Sequence, residues 1–480
     1  MVAVNSGVVL ALGLAMLVPL ALSLLYRDGS WASFLVPAAL MVPLGAVGLR
    51  ASTRRRGGYV LERDVYFAVT LAWAFAALLG GLPYLLEGTF SSVVDSFFEG
   101  MSGFTTTGAT VLADIEAESP SILFWRSMTQ WLGGIGIVVL FVAVAPELGA
   151  GAARLLGAEV SGLTRTRLTT RIADTAKVLL VVYASLSLAQ VLALLAVGMN
   201  PYDAVVHTFT TVATGGFSPK TASIAFYDSL AVEAVIIFFM VVSAVSFSLY
   251  YVIYTRRRLD ALLDTELVVY LAVLSGAVLF VWGVLVFQGD YGGSWGRALR
   301  DAAFTVPSIM TTTGFVTADF DEWDTAAKFV LVALMFVGGC AGSTAGGLKV
   351  VRIVVVFRTN FQEVFKMIHP KAVTPLRMGG QVIPEEVRVA VLGLFCAWIA
   401  VFVQATFLVS LQEDLTLLSA ATAVAATLNV VGPGFGQVGA SESFEAVNAF
   451  GRAVLTGCML LGRLEVFTAL VLLSPAFWKR

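Results

Sequence analysis

The sequence predicts an all-α polytopic membrane protein, with two leading helices followed by four helix–pore loop–helix repeats around one central pore. Three observations carry that prediction. Of 480 residues, 58% are hydrophobic and 13% charged, roughly half the charged share of an ordinary soluble domain, and the mean hydropathy is +0.88. Apolar stretches of about 20 residues, the length that crosses a ~30 Å hydrocarbon core as a helix, recur along the whole chain. A short element centred on glycine occurs four times, always between two such stretches.

Residues 7–26 carry no basic n-region and exceed the usual length of a signal h-region, so they read as a retained helix, followed by a second over 33–49. The long apolar spans after these are 65–86 and 122–146, 176–198 and 230–255, 266–287 and 325–357, and 387–411 and 447–473. Between the members of each pair lies a half-length segment with a helix-start signal. The signals are Ser91 and Ser92 before Val93, Asn200 followed by Pro201, Ser294 before Trp295, and Asp414 before Leu415. The expected division is 1–64 for the leading helices, then repeats at 65–150, 151–262, 263–384 and 385–480.

The glycine elements are Thr105 to Thr110, Thr211 to Ser218, Thr311 to Thr317 and Asn429 to Phe435, with Gly108, Gly215, Gly314 and Gly432 as their expected centres. One Thr-Gly pair alone would read as a helix kink. Four in matched surroundings imply a shared axial pathway, because non-helical backbone at membrane depth survives only where protein buries it or water lines it. Rings of backbone carbonyls can replace the hydration shell of a monovalent cation without fixed charge. Glycine leaves the line of convergence uncrowded and allows positive φ. The candidate ion-binding residues are therefore Thr106, Thr107 and Gly108, Ala213, Thr214 and Gly215, Thr312, Thr313 and Gly314, and Val430, Val431 and Gly432. The C-terminal ends of the half-length helices should also favour a cation below them.

Two further features fall at one depth. Arg463 lies inside an apolar span, ~24 Å from its outer end at 1.5 Å per residue, and the segment from Gly338 to Gly347 falls at about 20–33 Å by the same measure. Five glycines in ten residues (Gly338, Gly339, Gly342, Gly346 and Gly347) do not sustain a helix, so this segment is expected to form an intramembrane loop whose carbonyls water or Arg463 satisfies. Together these six residues are the candidate gate. A close helix crossing is the rival reading, but such crossings use two small residues rather than five. Glu465 should face away from Arg463, since residues two apart on a helix do not meet.

Of 30 Lys and Arg residues, 22 fall in alternate connections, including Arg54 to Arg56, Arg154, Arg165, Arg167, Arg171, Arg256 to Arg258, Lys349 to Arg388, Lys479 and Arg480. The positive-inside rule places these and both termini in the cytoplasm. Net charge is −2, so nothing points to nucleic acid. Cys340, Cys396 and Cys458 are odd in number and lie in apolar spans, which fits packing rather than disulfides or metal. His207 and His369 have no partner at ligand spacing and read as structural. A hydrolase would need a nucleophile and base or a metal dyad within the membrane, and no His-Glu-x-x-His, Gly-x-Ser-x-Gly or paired aspartates appear in the apolar segments. A secondary transporter with broken helices usually has two related halves rather than four repeats.

The motifs Thr-Thr-Gly-Ala-Thr, Ala-Thr-Gly-Gly-Phe-Ser, Thr-Thr-Gly-Phe and Asn-x-x-Gly-Pro-Gly, with Gly338-Gly339-Cys340-Ala341-Gly342-Ser343-Thr344-Ala345-Gly346-Gly347-Leu348-Lys349 and Gly462-Arg463-Leu464-Glu465, closely resemble the Trk/Ktr/HKT superfamily of potassium transporters. The resemblance covers residues 65–473, and the two leading helices are similar to its TrkH branch. It implies potassium uptake across the plasma membrane of a bacterium or archaeon, K+ as the transported ion without organic cofactor, and no enzymatic activity. It further implies a homodimer with one pore per subunit, and a cytosolic TrkA-type nucleotide-binding subunit as regulator. Gly108 resembles the potassium-selective members, where sodium-preferring plant relatives have serine. The fourth element departs from the pattern, with Val430 and Val431 in place of a more polar pair.

Overall fold

The structure, a computed structural model, describes residues 2–53, 62–144, 172–256, 259–289, 291–370, 372, 375–379 and 381–478. The basic residues Arg54 to Arg56, Arg154, Arg165, Arg167, Arg171, Arg257, Arg258, Lys371, Lys479 and Arg480 lie outside the described residues, as do the last two residues of the expected 122–146 span.

The leading helices pair closely. Val2–Ala15 and Leu17–Tyr26 run on through Met16, and Trp31–Thr53 packs back against them. Small residues allow this: a Cβ on Gly45 would lie 2.6 Å from the Leu10 backbone nitrogen, and one on Gly13 2.9 Å from the Met41 Cβ. The tight turn between them has Arg27 at φ 54° and is tied to the body of the protein. There the Ser121 N–H donates to Asp28 (3.1 Å), and the Ser30 and Ser33 hydroxyls donate to Glu87 at 2.8 and 2.7 Å.

Four similar units follow. Their first helices are Glu62–Gly80 continued by Leu82–Glu87, then Ile172–Ala196, Thr265–Gln288 and Glu385–Val409. Their half-length helices are Val93–Phe104, Pro201–Val212, Trp295–Met310 and Leu417–Leu428, the third being longer than the others at 16 residues. These helices are buried over most of their length, polar residues included, as re-entrant backbone requires. Their N-termini follow the expected chemistry at Ser92, whose side chain accepts from the Val94 N–H, and at Asn200, which accepts from Asp203. Ser294 holds the N-cap position without a capping bond. The fourth cap is Thr416 rather than Asp414: the Thr416 hydroxyl accepts from the Ser419 N–H at 3.1 Å, while the Asp414 carbonyl accepts from Gln437.

The second helices depart most from the sequence reading. Pro120–Val144 is continuous, whereas the other three are interrupted. Leu230–Ser243 and Phe247–Tyr254 meet at 88°, where one straight span over 230–255 was expected. Thr325–Val337 stops at Gly338, and Val350–Ile368 begins only after Lys349. Ala449–Arg463 ends before Glu465 and Val466, both left-handed at φ 59° and 51°, and Phe467–Leu470 resumes the helix for one turn. The break at Gly338 is the loop its glycines predict, whereas hydropathy runs through the other two, whose residues are mostly apolar or small. Among the described residues, six helices are long and apolar enough to cross a membrane, and the bent pair makes a seventh. The only sheet among them is a two-residue antiparallel ladder, Arg377–Met378 with Gln381–Val382. Of the cysteines, Cys340 and Cys458 are buried as packing residues, but Cys396 is on an exposed helix face.

Replacing Gly45 by Leu should force the leading helices apart, since the Leu10 main chain cannot yield as a side chain would. Overpacking of this kind costs about 1–3 kcal/mol. The melting midpoint of purified protein in detergent is expected to fall, with Gly7→Leu, where no atom lies within 4 Å of the added Cβ, as the unaffected comparison.

Candidate ion pathway

The four glycine elements share one backbone conformation. Two residues past the end of each re-entrant helix the chain enters the left-handed region, at Thr106 (φ 57°), Thr214 (53°), Thr312 (57°) and Val430 (60°). The next residue in each donates its N–H five residues back: Thr107 to Ser102 (2.8 Å), Gly215 to Thr210 (2.7 Å), Thr313 to Ser308 (2.9 Å) and Val431 to Ala426 (2.7 Å). A positive-φ glycine comes third, at Gly108, Gly216, Gly314 and Gly432. The counterpart of Gly108 in the second element is therefore Gly216, one residue beyond the Gly215 expected from the motif, and Ala213 falls before the turn. Two consecutive glycines hid this shift, because either one satisfies a Thr-Gly reading.

These elements close into a ring in chain order. A Cβ on Gly108 would lie 2.1 Å from the Gly215 carbonyl oxygen, one on Gly216 1.9 Å from that of Thr313, one on Gly314 2.1 Å from that of Val431, and one on Gly432 3.0 Å from that of Thr107. Each wall thus sets its glycine against the equivalent carbonyl of the next, and the fourth returns to the first. No other residue fits at positive φ with a neighbour so near. A cavity of about 240 Å³ opens over the ring and is lined by all four of these glycines. Between the third and fourth units the Gly436 N–H donates to Asp321 at 3.0 Å, and burial holds the Asp321 carboxyl above its ordinary range.

A buried ion pair joins the first and second walls. Arg126 Nη2 lies 2.8 Å from Glu99 Oε1, and both side chains are almost fully buried. Arg126 also donates to the Thr110 hydroxyl (3.1 Å) and the Ser218 carbonyl (3.4 Å), and its guanidinium lies 4.1 Å from the Phe217 ring centre. Glu99 accepts in addition from Thr110 (2.8 Å) and from the Val111 N–H (3.1 Å). Both oxygens of the Glu99 carboxylate are thus engaged, which lets a buried charge pair persist. The sequence alone does not reveal it, because the two residues are 27 positions apart and meet only through the tertiary fold.

Below the ring lies the segment from Gly338 to Lys349, non-helical throughout. It bonds to the ends of three re-entrant helices: the Gly346 N–H donates to the Thr312 hydroxyl (2.7 Å), the Gly347 N–H to the Asn429 carbonyl (3.1 Å), and the Thr344 hydroxyl to the Val212 carbonyl (3.1 Å). It also fills the break in the second unit, where Cys340 N–H donates to the Ala244 carbonyl (2.9 Å) and Phe247 N–H to the Gly342 carbonyl (3.0 Å). Arg463 caps it from the fourth unit, donating to the Thr344 carbonyl at 2.8 Å and to the Gly133 carbonyl at 3.3 Å. The two candidate gate features thus meet directly. Glu266 accepts from Ala341 (2.7 Å) and Val351 (3.3 Å), clamping both arms of the segment. Glu465 faces away from Arg463, and its partner is Arg352 at 2.6 Å. No spacing rule links positions 352 and 465, so this pair was beyond sequence reasoning. His207 bonds the Asp203 carbonyl (2.9 Å) and the Ser218 hydroxyl (3.3 Å), while His369 lies at a helix end against Phe365.

A family model described as TrkH, cation transport protein, matches residues 46–480. The chain belongs to the TrkH family. It is similar to the Trk system potassium uptake protein TrkH of Halomonas elongata, at 41% identity over 97% of this chain and 96% of that one. The protein of the same description from Escherichia coli K12 is 37% identical, again over 97% and 96%. The crystal structure of the potassium transporter TrkH from Vibrio parahaemolyticus superimposes with a TM-score of 0.91 at 36% identity, covering 100% of this chain and 99% of that one. This TrkH-family chain is accordingly a multi-pass membrane transport protein and not an enzyme.

Removing one partner of the buried pair strands the other. Arg126→Leu should lower stability by about 3–5 kcal/mol, because Glu99 is left buried without its partner. The double variant Glu99→Gln with Arg126→Met should recover most of that loss. Melting midpoints of the three purified proteins in one detergent check this, and equal midpoints for the single and double variants would contradict it.

Proposed function

We propose that this protein carries out potassium uptake, with the ring of glycine elements as its selectivity filter. The observation that carries the reading is the closure of the ring, in which Thr107, Gly215, Thr313 and Val431 bring equivalent carbonyls against the glycines of neighbouring walls. Carbonyl dipoles at such a constriction replace water around a cation that has lost its shell, and the absence of fixed charge lets the ion leave again. The names of the relatives, all Trk system potassium uptake proteins, support K+ as the ion. Thr106, Thr214 and Thr312 would add hydroxyls on the inner side, with Val430 adding none. On this reading residues 1–64 form an accessory hairpin, and 65–150, 151–262, 263–384 and 385–480 are the four walls of one pathway.

The segment from Gly338 to Lys349 is then the gate. It sits on the path out of the filter, bonded to three walls, with the Arg463 guanidinium beside it. A cation below the filter is repelled by an arginine at about 4 kcal/mol for a 4 Å approach at an effective dielectric of ~20. Flux requires the segment to shift, and the helix Val350–Ile368 that continues from it gives a cytosolic partner a handle. A TrkA-type nucleotide-binding subunit, docked on the basic connection between Lys349 and Arg388, is that partner. The working unit is a homodimer with both termini in the cytoplasm.

The parent protein should restore growth of potassium-uptake-deficient cells at low external K+, and in liposomes should pass 86Rb+ and K+ in preference to Na+. Gly108→Ser places an atom against the Gly215 carbonyl, so the K+/Na+ flux ratio is expected to fall about tenfold, the weight of one displaced ligand. An unchanged ratio would show that the ring is not the filter.

Arg463→Ala removes two bonds that hold the segment and the charge beside it. Flux per folded protein should rise about fivefold or more and depend less on any regulator. A well-folded variant with parental or lower flux would sink the gate assignment.

A further inference from the structure

The four walls differ in what stands behind them. Gln130, on Pro120–Val144, is fully buried, donates from Nε2 to the Gly215 carbonyl at 2.7 Å and accepts at Oε1 from the Phe217 N–H at 3.1 Å. The two bonds straddle Gly216, so one side chain holds the second wall on both sides of its positive-φ glycine. Met240, Met335 and Met459 stand three residues before Ser243, Gly338 and Gly462, as Gln130 stands three before Gly133, and all three are fully buried. The first and fourth units share one register: a Cβ on Gly133 would lie 1.9 Å from the Phe104 carbonyl oxygen and one on Gly462 1.9 Å from that of Leu428, whereas one on Gly338 would meet the Gly346 carbonyl of the interior segment. Phe104 and Leu428 are the last residues of their re-entrant helices. Methionine fills the same space but offers no N–H donor.

The wall with the polar brace is also the one that needs it. Where the other walls carry Thr107, Thr313 and Val431, the second carries Gly215, giving two consecutive glycines after Thr214 and no β-branched side chain at that position. The fit is reciprocal, since a Cβ on Gly215 would lie 2.4 Å from the Gln130 side-chain amide carbon. We infer that Gln130 is a specificity-determining positioning residue, which fixes the Gly215 carbonyl and the Gly216 turn and so sets cation selectivity at the second wall. This rests on the filter reading above, and it adds a residue that no candidate motif contains.

The test is Gln130→Met, which gives the second wall the brace of the other three at nearly unchanged volume. Parent and variant are reconstituted in liposomes, and K+ and Na+ fluxes are measured separately, with the melting midpoint as a control for folding. The K+/Na+ flux ratio of Q130M is expected to fall about tenfold through a higher Na+ flux, matching one lost buried hydrogen bond. A residue that merely packs would lower both fluxes together or leave the ratio alone, and either result overturns the inference. Should Q130M not reach the membrane folded, Gln130→Leu takes its place with the same outcomes. If neither folds, Gln130 is a folding residue and the inference fails. A parent that does not discriminate between the two ions refutes the filter reading itself, whereas a discriminating parent with an equally discriminating variant refutes only the role of Gln130.

Discussion

Backbone that leaves the helix inside a membrane must find every hydrogen-bond partner within the protein, and this constraint organises the whole molecule. Four chain segments turn back halfway, and a fifth, between Gly338 and Lys349, crosses the interior without regular structure. Lipid offers these amides nothing. The consequence is a dense set of polar contacts at the centre of a chain that is otherwise apolar: Thr312, Asn429, Val212, Ala244, Glu266 and Arg463 between them receive or supply the bonds of the interior segment. Such a network is stable only when complete, because each orphaned amide costs about 1–3 kcal/mol away from water.

The breaks in three of the second helices follow from the same demand. At Ser243 to Ser246 the turn frees carbonyls and amides that face the interior segment, and Ala244 and Phe247 use them to bond Cys340 and Gly342. At Leu464 to Val466 the chain leaves the helix just after Arg463, which turns Glu465 toward Arg352. The interior segment and the helix breaks are mutually dependent, each satisfying what the other exposes. Pro120–Val144 stays unbroken and contributes by side chain and small residues instead: Arg126 near the ring's outer ends, and Gly133 where the Phe104 backbone approaches. One continuous helix beside three broken ones makes the four units similar in plan and different in detail.

The general plan was legible from the sequence because hydropathy and glycine placement act locally. The apolar spans, the re-entrant helices with their Ser92 and Asn200 caps, and the meeting of Arg463 with the glycine-rich segment follow from residues read in order. What hydropathy could not convey was any break whose residues are themselves apolar, such as Ala244-Val245, or any pair joined only by the tertiary fold, such as Arg126 with Glu99 and Arg352 with Glu465. The shift from Gly215 to Gly216 has a different cause. Sequence spacing counts residues, whereas the equivalence of walls is set by φ and by which amide reaches back five positions.

The ring closes within a single polypeptide, with Gly432 of the last wall returning to Thr107 of the first. In a ring assembled from four identical chains, any substitution appears four times, and a cell making both forms fills with mixed assemblies. Here a substitution touches one wall in every copy, and two alleles never share a ring. Each wall is therefore free to drift by itself. The valines of the fourth wall and the paired glycines of the second show how far the walls of one ring differ when each is written separately in the chain.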